Sequence, residues 1–188
     1  MAVLRSLALF FLEFLETVVI ALLFFAIMYI FLFQPHQVKG NSMLPNFVNG
    51  EYLLSNKLAY RLGEPDRGDV VVFKAPENNQ FDYIKRVIGL PGDKIKIIQE
   101  HFYINGQLID ESSYLSSITE TRSGYYLPEA KEIVIPPDQY FVAGDNRANS
   151  SDSRDFGPVP RQNLVGKAWF MYWPPQKIGL IGEKTYNL

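Results

Sequence analysis

Asp82-Tyr83-Ile84-Lys85-Arg86-Val87-Ile88-Gly89 decides the fold of this 188-residue chain. Its β-branched and aromatic residues favour an extended strand. Period-two alternation sets Tyr83, Lys85 and Val87 on one face, with Asp82, Ile84, Arg86 and Ile88 on the other. Lys85 thus stands between an aromatic and a β-branched neighbour, a setting that can strip water from its ammonium. Outward from this strand the same grammar repeats over residues 51–55, 69–73, 94–97, 101–104, 107–109, 132–135 and 139–143, with 167–173 as the last strand. Between them lie turn signals such as Glu64-Pro65-Asp66-Arg67-Gly68-Asp69 and Leu90-Pro91-Gly92-Asp93, and Asn105-Gly106 marks a two-residue hairpin. Short helices are expected near residues 57–60 and 161–164. Residues 111–131 are polar, serine-rich and unpatterned, and read as a loop or insertion. The domain is expected to be mainly β.

Upstream the composition changes. Residues 14–33 are apolar except for Glu16 and Thr17, and residues 18–33 carry no charge. Twenty residues at a rise of about 1.5 Å make a helix of roughly 30 Å, the thickness of a bilayer's hydrocarbon core. Glu13 and Glu16 belong at its headgroup end. The run is longer than a cleaved signal peptide's apolar region and ends without a small-residue cleavage pattern, so it reads as an uncleaved anchor. The expected organisation is an N-terminal segment, residues 1–34, and a β-rich domain, residues 35–188. Orientation does not follow from charge. Arg5 precedes the helix while Lys39, Lys57 and Arg61 follow it, yet long domains cross membranes largely regardless of such counts.

Composition narrows the chemistry. A net charge of −2 gives no case for a nucleic-acid partner. The absence of cysteine removes disulfides, thiolate metal sites and a cysteine nucleophile. With only His36 and His101, a histidine-built metal site is poorly supplied. No metal or cofactor is expected.

A serine sits in the turn Gly40-Asn41-Ser42-Met43-Leu44-Pro45, directly after the anchor. Taken alone it is a turn serine, because a hydroxyl attacks only when a neighbouring group takes its proton. His36 lies at the helix end and His101 opens a hairpin strand, so neither is a compelling base. Lys85 can serve if burial lowers it from about 10.4 to near neutrality; the alternative is a solvated strand lysine whose stem covers its neighbours. The third polar stretch is Gly144-Asp145-Asn146-Arg147-Ala148-Asn149-Ser150-Ser151-Asp152-Ser153-Arg154. It reads either as a loop locked by Asp–Arg pairs that buttress a neighbouring site, or as a solvated surface loop.

In order, Ser42-Met43-Leu44-Pro45, Arg67-Gly68-Asp69-Val70, the strand from Asp82 with Pro91-Gly92-Asp93, and the stretch from Gly144 to Arg154 resemble the bacterial type I signal peptidases, a serine–lysine dyad family. The likeness covers residues 33–173 apart from the loop 111–131. It implies the mainly β fold shared with self-cleaving repressors, preceded by one transmembrane helix, and a membrane-bound endopeptidase that removes signal peptides from exported preproteins. By match, Ser42 is the nucleophile and Lys85 the general base. Ser150 orients the Lys85 amine, and Asp145, Arg147, Asp152 and Arg154 support the site. The oxyanion hole falls to the Ser42 N–H, with Gly40 assisting if its amide turns inward. The resemblance also implies a single-pass protein of the cell membrane, N-terminus cytoplasmic and catalytic domain extracytoplasmic, whose partners are signal peptides and the lipid bilayer.

Three positions depart from the family pattern. Asn46 stands where threonine is common, with little consequence expected. Ala148 replaces an acidic residue, which puts one supporting salt bridge in doubt. Gly40 lacks the hydroxyl that some members use in the oxyanion hole. The aromatic run Trp169-Phe170-Met171-Tyr172-Trp173 is expected to pack Trp169, Met171 and Trp173 into the core; its alternative is an apolar rim at the headgroups. Two rival functions stand beside the main one: a specialised or self-processing protease with the same dyad, and a non-catalytic, membrane-anchored peptide-binding domain.

Overall fold

The first element is the helix α1 (Ala2–Leu32), which begins about a dozen residues earlier than the apolar run suggested. Residues 2–12 contain no Gly or Pro and are dominated by Ala, Leu and Phe, so nothing stops the helix from propagating through them. At about 1.5 Å per residue it is longer than a hydrocarbon core. Its span Arg5–Tyr29 has a mean hydropathy of 2.4 and large apolar side chains exposed all round. Such a helix buries nothing within the protein and fits a membrane anchor. The computed structural model describes residues 2–116 and 119–182 of the chain, so Ser117 and Ile118 of the expected loop and the end of the β-rich domain lie outside the described residues. By internal contacts the chain divides into two units, Met1–Gln34 and Pro35–Leu188.

The second unit is built on two antiparallel sheets. The larger contains β1 (Phe33–Gln37), β2 (Tyr52–Asn56), β3 (Val70–Lys74), β4 (Asp82–Gly89), β9 (Gln139–Ala143), β10 (Val159–Pro160), β11 (Leu164–Trp173) and β12 (Gly179–Leu180). Its order is β1-β2-β11-β3-β4-β9-β10, with β12 on β11, so β4 lies near the middle. The smaller sheet runs β7-β6-β5-β8, from β5 (Lys94–Ile98), β6 (His101–Ile104), β7 (Gln107–Leu108) and β8 (Ile133–Val134). Asn105 and Gly106 join β6 to β7 with φ of 50° and 84°, the left-handed pair that a type I′ hairpin demands. Short helices α2 (Ala59–Leu62) and α3 (Ser153–Phe156), and a 3₁₀ turn at Arg161–Asn163, complete the frame. The last described strand is β12, beyond the expected end at β11.

Alternation along β4 sorts its residues as expected. Tyr83 and Val87 pack with Val71, Phe73, Tyr140 and Val142, while Ile84 packs against Met43, Val70 and Val72. Ile88 enters a third cluster with Ile95, Ile97, Phe102 and Phe141, which joins the small sheet to the large one. Burial of these side chains, each worth about 1.5–3 kcal/mol, holds β4 rigid on both faces.

β11 departs from expectation. Register shifts at Ala168/Phe170 and Met171/Trp173 break its period-two pattern, so Ala168 and Met171 reach the core together. Trp169 and Trp173 are left 38% and 52% exposed, which overturns the reading that placed both in the core.

Candidate active site

Burial is the first fact about Lys85. It is 4% exposed on β4, and its Nζ donates to Ser42 Oγ at 2.8 Å and to the Ile84 carbonyl at 3.0 Å. The Tyr83 ring covers it at 5.4 Å from the centroid. Burial pushes the Lys85 ammonium down to about 8; Asp152 and Asp145 pull it back up, and Arg154 pushes it down. The amine thus sheds its proton in mildly alkaline water, and it touches the Ser42 hydroxyl.

Ser42 lies in the loop between β1 and β2, and residues 144–147 hold that loop from below. The Asn146 N–H donates to the Ser42 carbonyl at 3.0 Å, and Asn146 Nδ2 donates to the Asn41 carbonyl at 3.0 Å. The approach requires glycine at position 144. A Cβ there would fall 2.4 Å from the Ser42 carbonyl oxygen and 2.2 Å from Ser150 Oγ. Asn146 was missed in the sequence, where it is only one amide among many polar neighbours.

Around Ser42 and Lys85 three arginines form forks with two aspartates and a glutamate. Arg86 grips Asp145 through Nε at 2.9 Å and Nη2 at 2.7 Å, donates to the Gly68 carbonyl, and stacks on the Tyr114 ring at 4.2 Å. Arg154 grips Asp152 through Nε and Nη2, each at 2.7 Å, and Asp152 also accepts from the Gly144 N–H at 2.9 Å. Burial pushes the Asp152 carboxyl up, but the Arg154 guanidinium and the Gly144 N–H more than offset this and hold it below the usual carboxylate range. Arg147 forks onto Glu111 and also reaches Thr121 Oγ1, the Tyr114 hydroxyl and the Gly144 carbonyl. Asp145, Arg147, Asp152 and Arg154 are all within 1% of complete burial. This is a locked loop, not a solvated one.

Glu111 resolves the doubt raised by Ala148, because it supplies Arg147 with a carboxylate from far away in sequence. The segment read as an insertion therefore belongs to the site's support. Tyr114, Thr121 and Arg122 join it, Arg122 through the Ser150 carbonyl at 2.8 Å and through Asp155. Asn46 also matters more than expected. Its Nδ2 donates to Asp145 Oδ2 at 2.8 Å and to the Tyr114 carbonyl at 3.0 Å, so the nucleophile loop is tied to the Arg86–Asp145 pair.

Two expected contacts are not formed. Gly40, at φ +86°, turns its N–H to Asn49 Oδ1 at 2.9 Å, so its amide is spent outside the oxyanion hole. That assignment fails because the loop closes on its own asparagine side chain. Ser150 Oγ is buried but makes no hydrogen bond to Lys85, whose Nζ reaches the Ile84 carbonyl instead. A histidine-built chain does exist elsewhere: His36 Nε2 lies 2.9 Å from Ser55 Oγ, and Nδ1 lies 3.4 Å from Asp82. Ser55 is fully buried, however, and cannot meet a peptide.

A family model described as signal peptidase, peptidase S26, matches residues 11–173. Signal peptidase IB of Staphylococcus aureus is 40% identical over 189 residues, covering 93% of this chain and 94% of that protein. A probable signal peptidase I-2 of Synechocystis is 37% identical over 161 residues, or 81% of this chain and 69% of that protein. A crystal structure of a signal peptidase I from Enterococcus faecalis aligns with 55% of this chain and 95% of its own, at 30% identity and a TM-score of 0.45.

Proposed function

This chain belongs to the signal peptidase family, peptidase S26, and on that premise we propose that it removes signal peptides from exported preproteins with Ser42 as nucleophile and Lys85 as general base. The chain is therefore a hydrolase, and the observation that carries the residue assignment is the 2.8 Å contact between Lys85 Nζ and Ser42 Oγ in a buried setting. Neutral Lys85 takes the Ser42 proton as Oγ attacks the scissile carbonyl carbon. The tetrahedral oxyanion is received by the Ser42 N–H. As the C–N bond breaks, the Lys85 ammonium returns its proton to the leaving amine, and an ester remains on Ser42. Water, deprotonated by Lys85, then attacks the ester and releases Ser42. The buried Ser150 hydroxyl, packed against Gly144, is assigned to orienting the Lys85 nitrogen. Asp145, Arg147, Asp152 and Arg154 hold the loop beneath.

The substrate enters as an added strand. β4 pairs with β3 over residues 82–86, whereas β9 joins its other side only from Arg86 onward. Among the described strands, residues 82–85 therefore keep one open edge beside Lys85. An extended peptide can take up that edge. Mass spectrometry of a preprotein digested by the detergent-solubilised chain is expected to show one cut, after a small residue, that frees the signal peptide. Cleavage at scattered sites, or none, counts against the reading.

The anchor holds the protein in the cell membrane, N-terminus cytoplasmic and residues 35–188 outside, with the exposed Trp169 and Trp173 forming an apolar rim at the headgroups. These are the chain's only tryptophans. Its intrinsic tryptophan emission in proteoliposomes is therefore expected to be quenched by lipids brominated near the headgroup. Emission indifferent to brominated lipid would remove the rim.

A further inference from the structure

Asn146 stands between Asp145 and Arg147 in the chain, and it grips the backbone on both sides of Ser42. Its N–H holds the Ser42 carbonyl, which belongs to the peptide unit after the nucleophile. Its side-chain amide holds the Asn41 carbonyl, which belongs to the unit before it. The Asn41–Ser42 bond is trans, so the Ser42 N–H points opposite to the Asn41 carbonyl in one rigid plane. Fixing that carbonyl therefore aims the amide. With both flanking planes held, φ and ψ of Ser42 are set, and with them the direction of its Cα–Cβ bond. Among the described residues the Ser42 N–H has no acceptor of its own, and the Gly40 amide next along the loop is committed to Asn49. The donor left for the oxyanion is thus the one that Asn146 orients.

We propose that Asn146 is the positioning residue of the oxyanion hole: its side-chain amide fixes the Asn41–Ser42 peptide so that the Ser42 N–H faces the substrate carbonyl. This rests on Ser42 being the nucleophile. Loss of the side-chain donor frees that peptide unit to rotate about its flanking single bonds without moving the chain. The Leu44 N–H still reaches the Asn41 carbonyl, but at 3.3 Å. The backbone donor of Asn146 survives substitution, so Ser42 keeps its place in the loop while its N–H loses direction.

The test uses the full chain in detergent with Asn146→Ala and the isosteric Asn146→Asp, each measured for kcat, KM and binding of a peptide aldehyde that forms a tetrahedral adduct. An oxyanion donor acts in the transition state, so kcat is expected to fall roughly 100-fold while KM stays within about threefold. Aldehyde affinity should fall in step with kcat. The midpoint of the rising pH limb should stay where it is in Asn146→Ala, because no charge near Lys85 has changed. Unchanged kcat, a loss confined to KM, or a moved pH midpoint each overturns the proposal. Should the alanine variant fail to fold, the aspartate variant carries the kcat and aldehyde comparison. Ser42→Ala run alongside separates this idea from its premise. An active Ser42→Ala enzyme removes the dyad itself, whereas inactive Ser42→Ala beside fully active Asn146→Ala removes only the role given to Asn146.

Discussion

Ser42→Ala and Lys85→Ala are each expected to lower preprotein cleavage by at least roughly 1,000-fold, with the domain still folded. The parent's rate should rise with pH through a midpoint near 8, because burial pushes Lys85 down to about 8 and only the neutral amine accepts the serine proton. Lys85→Ala enzyme cleaving at the parental rate would remove the dyad. The same burial has a thermodynamic signature. The unfolded lysine keeps its ordinary value of 10.5, so between pH 8 and 10.5 the unfolded chain binds the extra proton. Stability from this group therefore rises with pH across that window, and below it the folded protein bears the full desolvation cost of about 3 kcal/mol. Lys85→Met is isosteric and uncharged. Its stability relative to the parent should be more favourable at pH 7 than at pH 10.5 by about 3 kcal/mol, read by urea unfolding at both values. A difference independent of pH would mean that Lys85 is solvated.

Asp145→Ala should be the most destabilising single change in the site, by about 3–5 kcal/mol in urea unfolding at neutral pH. Asp145 accepts both fork nitrogens of Arg86 and the amide of Asn46. Without it, Arg86, only 2% exposed, loses the carboxylate that both its Nε and its Nη2 reach. The penalty is that of a buried charge losing its fork partner, not the net worth of the pair. Glu132→Ala serves as the contrast. Its pair with Lys96 is 41% and 27% exposed at the two side chains, and its loss should cost under about 1 kcal/mol. Remaining activity in Asp145→Ala should have its rising limb moved to lower pH, since Asp145 raises Lys85. Stability within about 1 kcal/mol of the parent would show that water enters and solvates Arg86.

The family resemblance in the sequence points to Ser42 and Lys85, but not to how the loop around them is wired. Ser42 and Lys85 were named from short motifs, and the structure brings them to 2.8 Å. Glu111 was hidden because nothing in an unpatterned polar stretch says which arginine its carboxylate will meet 36 residues later. Asn46 looked like a neutral exchange for threonine, yet its two amide hydrogens reach two different segments. Help from Gly40 depends on an inward amide, and the structure gives that amide to Asn49.

The sequence by itself determined what depends on neighbours within a few residues: the apolar anchor helix, the period-two strands, the Asn105-Gly106 hairpin and the side-chain chemistry at positions 42 and 85. Turn chemistry and side-chain alternation are local, so a short window suffices to read them. Only the tertiary structure decided how dry Lys85 is, which carboxylate meets which arginine, which way the tryptophans of β11 face, and which amide remains for the oxyanion. Those outcomes depend on strands and loops distant in sequence that compete for the same donors and the same buried space. The strand at Asp82 shows both sides. Its alternation put Lys85 beside Tyr83 and Val87, but it took the loops at Ser42 and Gly144 to close over the amine and make it a base.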